Sequence, residues 1–275
     1  MVDLNAVDLD WKTEDVQRGW PRGRDTGCIL FRIEHGFFQT AADGAPGRLL
    51  DVACGEARHA PRLHRQGWSI IGLEPSPAMI ARARRTAADA GTPLDLACAI
   101  GEVLPFRDGT FDRVLCESAL DHFANPAEGM HEIARVLKPG GHAIIAAVNY
   151  GGLSCRVSRL LYALGRKLRW IPSGKRLFWD TPVPHEHTFE ANLPTLKRFA
   201  GSWLELEEVY GVSLLWAFPG WGRLLDRLPH AVAFKLLNGL DRVARGMPTA
   251  SDFLVMRWRR PLETLDEDRE RAPAG

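Results

Sequence analysis

Between residues 48 and 148 the chain alternates short apolar runs with stretches of helical spacing. The runs Arg48–Ala53, Trp68–Leu73, Leu94–Ile100, Arg113–Cys116 and His142–Val148 are short and apolar, as strands buried in a sheet are. Between them, Arg58–Gln66 reads as a helix stopped by Gly67, and Pro77–Ala90 as a helix with Met79, Ile80 and Ala83 on one face. Ala127–Leu137 reads as another, ended by the Lys138-Pro139-Gly140-Gly141 stop signal. Strands alternating with helices predict a parallel sheet covered on both faces, with ligands bound beyond the carboxyl ends of its strands. Leu204–Tyr210 and Phe253–Trp258 are expected to supply the last two strands.

Five segments follow from this pattern. Residues 1–47 are expected to form a helical lead-in or cap, with Thr26–Ala42 as its best helix candidate. Residues 48–149 are the cofactor-binding core, and 150–188 a basic amphipathic lid insert. Residues 189–262 hold the last strands around an aromatic helical insert, Leu214–Met247, and 263–275 read as a disordered tail.

Composition changes this picture little. A hydrophobic fraction of 45% and a charged fraction of 25% are those of an ordinary globular protein, and a net charge of +1 gives no reason to expect nucleic acid. The 5 cysteines are scattered without a CxxC pair, so neither a disulfide framework nor a cysteine zinc site is expected, and a reducing cytoplasm fits best. The acidic opening MVDLNAVDLDWKTED does not read as a secretory signal, and no stretch has the length of a transmembrane helix.

The chemistry is concentrated after the strands. The first run reaches Asp51 and then turns through Ala53-Cys54-Gly55-Glu56-Ala57. A dinucleotide fingerprint with Gly55 as its second glycine requires glycine at Ala53 and Arg58, which disfavours a nicotinamide cofactor. Glu74 directly follows the second strand, where an acid commonly accepts hydrogen bonds from ribose hydroxyls. The stretch from Ile100 to Phe123 carries Leu104-Pro105-Phe106, a turn at Arg107-Asp108-Gly109-Thr110, and a fourth strand ending at Cys116-Glu117-Ser118.

DVACGEA, GLEPS, GEVLPFRDGTFD and RVLKPGG follow one another at family spacing, and on them the chain resembles a class I S-adenosylmethionine-dependent methyltransferase. It is most similar to the small-molecule group with an LPF…FD segment. The resemblance covers about residues 48–148 and, more loosely, 185–211. It implies an α/β fold with a Rossmann-like, doubly wound, mostly parallel seven-stranded sheet, a helical N-terminal lead-in and helical inserts over the active site. It also implies S-adenosylmethionine as cofactor. By the resemblance, Asp51, Ala53, Cys54 and Gly55 lie against the methionine and ribose, Glu74 binds the ribose hydroxyls, and Pro75 and Met79 flank the adenine. Gly101, Glu102 and Val103 approach the adenine edge, while Glu117, Ser118 and Ala119 line the cofactor below the sulfonium. Two departures stand out. Ala57 replaces the third motif glycine, so the turn is expected to avoid positive φ there. Ile100 stands where an adenine-side acid is usual, leaving that task to Glu102.

Methyl transfer requires the acceptor atom on the methyl axis, roughly 3–3.5 Å from the carbon, and a base only if the acceptor arrives protonated. Candidate bases are His122, His185 and His187. Packing is the alternative for His122, and loop hydrogen bonding or helix capping before a helix at Glu190–Ala200 for the other two. The HxH pair lacks an evident third ligand, so no metal site is expected. Arg58 and His59 either meet the methionine carboxylate or stand as solvated helix residues.

Residues 154–179 carry 7 basic residues and no acid. Val157, Leu160, Leu161, Leu164 and Leu168 recur at helical spacing opposite Arg156, Arg159 and Arg166. A helix packed on the domain with a solvated basic face is the favoured reading, and peripheral contact with an anionic membrane the alternative. The second insert adds Trp216, Phe218, Trp221, Leu224, Leu225 and Leu228. Both inserts favour a small lipophilic or aromatic acceptor over a nucleic-acid base. The expected function is methylation of such an acceptor on oxygen or carbon. Non-methyl chemistry on the same cofactor and a non-enzymatic, membrane-adjacent binding protein are the alternatives, and the oligomeric state is left open.

Overall fold

A computed structural model describes residues 33, 35–172, 174–175, 177–179 and 187–262. Seven strands form one sheet in the order β3-β2-β1-β4-β5-β7-β6. They are β1 (Arg48–Val52), β2 (Ser69–Leu73), β3 (Asp95–Ala97), β4 (Phe111–Glu117), β5 (Leu137–Val148), β6 (Glu205–Val212) and β7 (Phe253–Arg259). The first five run parallel, while β7 lies antiparallel to both β5 and β6. The α-helices that follow β1 are α1 (Ala60–His64), α2 (Pro77–Asp89), α3 (Pro126–Val136), α4 (Leu153–Lys167), α5 (Leu193–Ala200), α6 (Trp221–Arg227) and α7 (His230–Gly246).

Two buried clusters reflect the two faces of the sheet. Leu49, Leu115 and Ile144 pack with Phe37, Trp68, Trp179 and Trp216. Leu50, Val114 and Ile145 pack with Ile133, Leu196 and Trp258. Adjacent strand residues therefore enter different clusters, as period-2 alternation requires. The doubly wound α/β expectation holds.

Several boundaries shift for identifiable reasons. The helix expected at Arg58–Gln66 shortens to α1, because the turn before it extends through His59. The Lys138–Gly141 stop ends α3, yet the chain there is already β5. Gly140 N–H donates to Arg260 O and Arg260 N–H to Gly141 O, so these residues pair with the chain leaving β7. The helix expected at Glu190–Ala200 begins at Leu193, where the Asn192 side chain accepts from Thr195 N. Within the lead-in candidate Thr26–Ala42, residues 35–42 are helical; those before residue 33 lie outside the described residues, as do His185 and the tail from 263. Arg113 on β4 secures the end of that helix, donating to Ala41 O at 2.5 Å, Asp43 O at 2.5 Å and Thr40 O at 3.4 Å.

The lid insert differs most. On α4 the buried residues are Ser154, Cys155, Ser158, Tyr162 and Gly165, a narrow stripe of mostly small side chains. The leucine stripe faces outward: Leu160 is 69% exposed, and Leu161, Leu164 and Leu168 are exposed too. The helix packed by its leucines is thus corrected: its small residues and Tyr162 face the protein, with Cys155 and Tyr162 in the same buried cluster as Tyr150 and Trp179, and Gly165 against Ile171. Trp216 and Leu225 are fully buried, so these members of the second insert belong to the core.

Candidate active site

The parallel strands bring their carboxyl ends to one rim. Asp51 pairs in register with Gly72, and Val52 with Leu73, so the chain leaves β1 and β2 side by side toward Glu74. Cys54 N–H donates to Leu73 O at 3.0 Å, Glu74 N–H to Ala97 O at 3.1 Å, and Ser118 N–H to Ala146 O at 2.8 Å. These bonds tie the turns after β1, β2 and β4 to their neighbours, so Asp51, Glu74 and Glu117 share that rim.

Glu74 is buried, and both of its oxygens are engaged by backbone. Gly55 N–H donates to Oε2 and Ser76 N–H to Oε1, each at 3.0 Å. The bonds fix the carboxylate against the β1 turn while each oxygen keeps a lone pair for a ligand hydroxyl. Burial raises its pKa, and the two backbone bonds oppose that rise. Met79 is buried beside the same turn, its methyl 3.5 Å from where a Cβ on Gly55 would stand. Pro75 is half-buried and its carbonyl accepts from the Cys98 thiol.

The turn itself overturns one expectation. Ala57 has φ 53° and Ala53 φ 55°, alongside Gly55 at 54°. The left-handed conformation thus persists without glycine, at about 1–2 kcal/mol per alanine. Ala57 N–H to Cys54 O at 2.8 Å and Ala60 N–H to Ala57 O at 3.1 Å hold the bend, and alanine is the smallest side chain with a Cβ to place there.

For His59 the structure removes the solvated alternative: the residue is buried, and its Nε2 lies 2.6 Å from Glu117 Oε2. Burial alone lowers the pKa of an imidazole, but the Glu117 hydrogen bond and charge outweigh it, and the net shift is upward. Burial alone raises the Glu117 carboxyl, but His59 reverses that as well, and the net shift is downward. Both shifts favour the charged, paired forms of His59 and Glu117. Among the described residues Asp51 has no hydrogen-bonded cation of its own. Burial pushes it up to about 7, assisted by Glu117 and Glu74 and opposed by His59 and Arg58. No short-range pattern links His59 to Glu117, so nothing in the sequence marks the pair.

Gly101, Glu102 and Val103 differ in their surroundings. A Cβ on Gly101 would overlap the Phe123 ring, so the glycine admits that ring. Glu102 is buried, its Oε1 accepting from Asn125 N at 3.4 Å, whereas Val103 is exposed. The following loop is anchored by α3. Leu104 N–H donates to Glu132 Oε2 at 2.7 Å, and Arg135 binds Leu104 O, Phe106 O and Asp108.

Beyond β4, Ser118 adopts φ 52° and throws the chain into a short 3-10 turn, Leu120–His122. Thr188 clamps the post-lid segment onto this turn, its N–H reaching Asp121 O at 2.8 Å and its hydroxyl the same oxygen at 3.1 Å. His187 is thereby set against three groups. Its Nδ1 lies 3.3 Å from Asp121 Oδ2 and 3.0 Å from the Tyr150 hydroxyl, and its ring meets His122 edge-on at 4.6 Å between centroids. Ser118 and Ala119 form the link between this cluster and Glu117. The structure thus joins two of the three candidate bases, His122 and His187.

A parallel five-stranded core with an antiparallel β6–β7 pair, an acid after β2 held by the β1 turn and an acid-lined turn after β1 form the arrangement of class I S-adenosylmethionine-dependent methyltransferase domains. Glu74 and the Gly55 turn fit the adenosyl group, and S-adenosylmethionine is the cofactor of that class. The comparisons agree. Residues 50–145 match the family described as Methyltransferase domain. A ubiquinone biosynthesis O-methyltransferase from Rhizobium etli is 29% identical over 165 residues, which is 60% of this chain and 62% of that protein. Its counterpart from Xylella fastidiosa is 30% identical over 168 residues, 60% of this chain and 63% of the relative. The chain therefore matches less than two thirds of the length of these curated relatives. Among solved structures, the [4+2]-cyclase SpnF has a TM-score of 0.56 at 21% identity, covering 84% of this chain and 81% of its own. The PH0226 protein from Pyrococcus horikoshii OT3 has 0.53 at 18%, covering 94% and 96%. At these identities the likeness concerns the fold.

Proposed function

We propose that the protein methylates a hydroxyl oxygen of a small lipophilic or aromatic acceptor. The observation that carries this reading is the Asp121–His122–His187–Tyr150 cluster, which follows β4 and β5 on the rim that also holds Asp51, Glu74 and Glu117. Bound S-adenosylmethionine supplies an electrophilic methyl group there. The cluster is where an acceptor hydroxyl gives up its proton; a phenol, with a reference pKa of about 10, needs such help at neutral pH. Tyr150 and Trp179 lie edge to face at 6.0 Å beside it, and Phe178, Trp179 and Trp216 continue from there as a packed aromatic cluster of the core that backs this end of the rim. The relatives named for ubiquinone biosynthesis favour oxygen over carbon.

The test is incubation with methyl-labelled S-adenosylmethionine and a panel of a catechol, a lipophilic phenol and a hydroquinone. A labelled methyl ether plus S-adenosylhomocysteine is expected, reduced at least about 100-fold in His187→Ala. Methylthioadenosine as the adenosyl product refutes methyl transfer and favours non-methyl chemistry, a reading kept open by the fold shared with a [4+2]-cyclase.

The outward leucines of α4 support a seat for this domain on an anionic membrane. Leu160, Leu164, Leu168 and Trp170, the last 78% exposed, stand beside Arg156, Lys167 and Arg169, the composition of an interfacial helix. Among the described residues no helix is long and apolar enough to cross a membrane. Sedimentation with phosphatidylglycerol vesicles is expected, and Leu160→Glu with Leu164→Glu is expected to abolish it; equal recovery of the double variant contradicts this seat.

A further inference from the structure

We propose that Asp121, His122 and His187 bind a divalent transition-metal ion, and that this ion holds the acceptor's hydroxyl oxygen. One carboxylate oxygen and one nitrogen from each ring lie within 4.8 Å of one another. The spacing of His185 and His187 suggested an HxH pair without a third ligand; the fold supplies a different trio, with Asp121 and His122 adjacent on the turn after β4.

Two independent features point to a cation. Asp121 is buried, and its Oδ1 has no hydrogen-bond partner among the described residues. A buried, half-satisfied carboxylate is expensive unless something positive completes it. The donor chemistry is also selective: two imidazoles and one carboxylate suit zinc, iron or manganese and leave open positions, as catalytic rather than structural sites do. With metal–ligand distances of about 2.0–2.2 Å, ligands on one ion stand roughly 3–3.5 Å apart, so the three groups close inward on loading. Tyr150, 3.0 Å from His187 Nδ1, is placed to steady that ring.

The last clause of the proposal rests on the O-methylation reading; metal binding does not. An acceptor hydroxyl on the ion is acidified by its charge. The O–H bond breaks, its proton passes to solvent water, and the oxygen keeps the electron pair with which it attacks the methyl carbon. The oxidation state of the metal does not change.

The test uses untagged full-length protein, stripped with chelator and titrated with cobalt(II) while visible d–d absorption is followed. One equivalent is expected to bind and to be displaced by zinc. Asp121→Asn, His122→Ala and His187→Ala are each expected to weaken binding by more than about 100-fold, while His64→Ala, on the exposed side of α1, leaves it unchanged. Binding of S-adenosylhomocysteine by calorimetry certifies that each variant is folded. Wild-type protein that binds S-adenosylhomocysteine but gives no cobalt spectrum overturns the site, as does a spectrum unaltered in the three variants. Methylation at full rate in stripped protein overturns the acceptor-holding role. Cobalt binding without methylation of any panel acceptor leaves the metal site standing and counts against the O-methylation reading.

Discussion

Glu74 offers the sharpest test of the cofactor pocket. Replacing it with alanine removes two acceptors at once, because its oxygens hold Gly55 N–H and Ser76 N–H at 3.0 Å each and, in the role proposed for Glu74, give their remaining lone pairs to the ribose hydroxyls. A hydrogen bond to a charged group is worth about 1.5–3 kcal/mol, so two ribose hydroxyls give about 3–6 kcal/mol in gross terms. Water entering the vacated space offsets part of this, leaving about 3 kcal/mol, on the order of 100-fold in dissociation constant. Glu74→Gln is not conservative either: whichever way the amide turns, its NH₂ faces a backbone N–H. Calorimetric titration with S-adenosylhomocysteine measures both losses. A ligand analogue lacking the ribose hydroxyls sharpens the result, since wild type and Glu74→Ala are then expected to bind it alike. A folded Glu74→Ala variant that binds S-adenosylhomocysteine within twofold of wild type refutes the assigned role.

The other predictions concern charge and packing. Asp51 has its pKa raised from 3.8 to about 7, so the folded state holds a proton that the unfolded state has already released between those values. Its contribution therefore becomes unfavourable as pH rises from 3.8 and reaches its full penalty, about 4 kcal/mol, above 7; thermal melts of Asp51→Asn at pH 8 are expected to exceed wild type, while its affinity for cationic cofactor falls. His59→Ala leaves Glu117 largely buried without its partner and is expected to destabilise by about 3 kcal/mol, and adding Glu117→Gln is expected to restore part of the loss in urea titration. Gly101→Ala forces a methyl into the Phe123 ring, lowering stability by about 1–3 kcal/mol; Phe123→Leu in the same chain is expected to recover it, and a Gly101→Ala variant with an unchanged melting temperature contradicts the packing role.

The sheet was legible because its buried strands leave short apolar runs, and the acids at their ends were legible because Asp51 lies in the last two residues of β1 and Glu74 directly follows β2. Other features had no local signature. The partners in His59–Glu117 and Asp121–His187 come from distant segments, and the residues between them say nothing of the meeting. Periodicity showed a helix in the lid insert but not which side faces the protein. Hydrophobicity selected the leucines, whereas close packing selected Ser154, Cys155, Ser158 and Gly165. At Ala57 an intrinsic preference for glycine was outweighed by the hydrogen bonds that fix the turn.

The rim also gives an electrostatic reason for its cofactor that does not depend on counting glycines. Glu117 and His59 balance one another through their 2.6 Å contact. That leaves Asp51 and Glu74, both buried and both raised in pKa chiefly by that burial, a rise that His59 and Arg58 only partly oppose at Asp51. A ligand bearing a pyrophosphate would bring two further negative charges to this crevice, where interactions at low effective dielectric reach several kcal/mol. A ligand bearing a sulfonium and an ammonium brings the charge the crevice lacks, and it favours the ionised form of Asp51 on binding. The glycine spacing and the buried acids therefore disfavour a dinucleotide on independent grounds, one of pattern and one electrostatic, and only the second bears on what is bound instead.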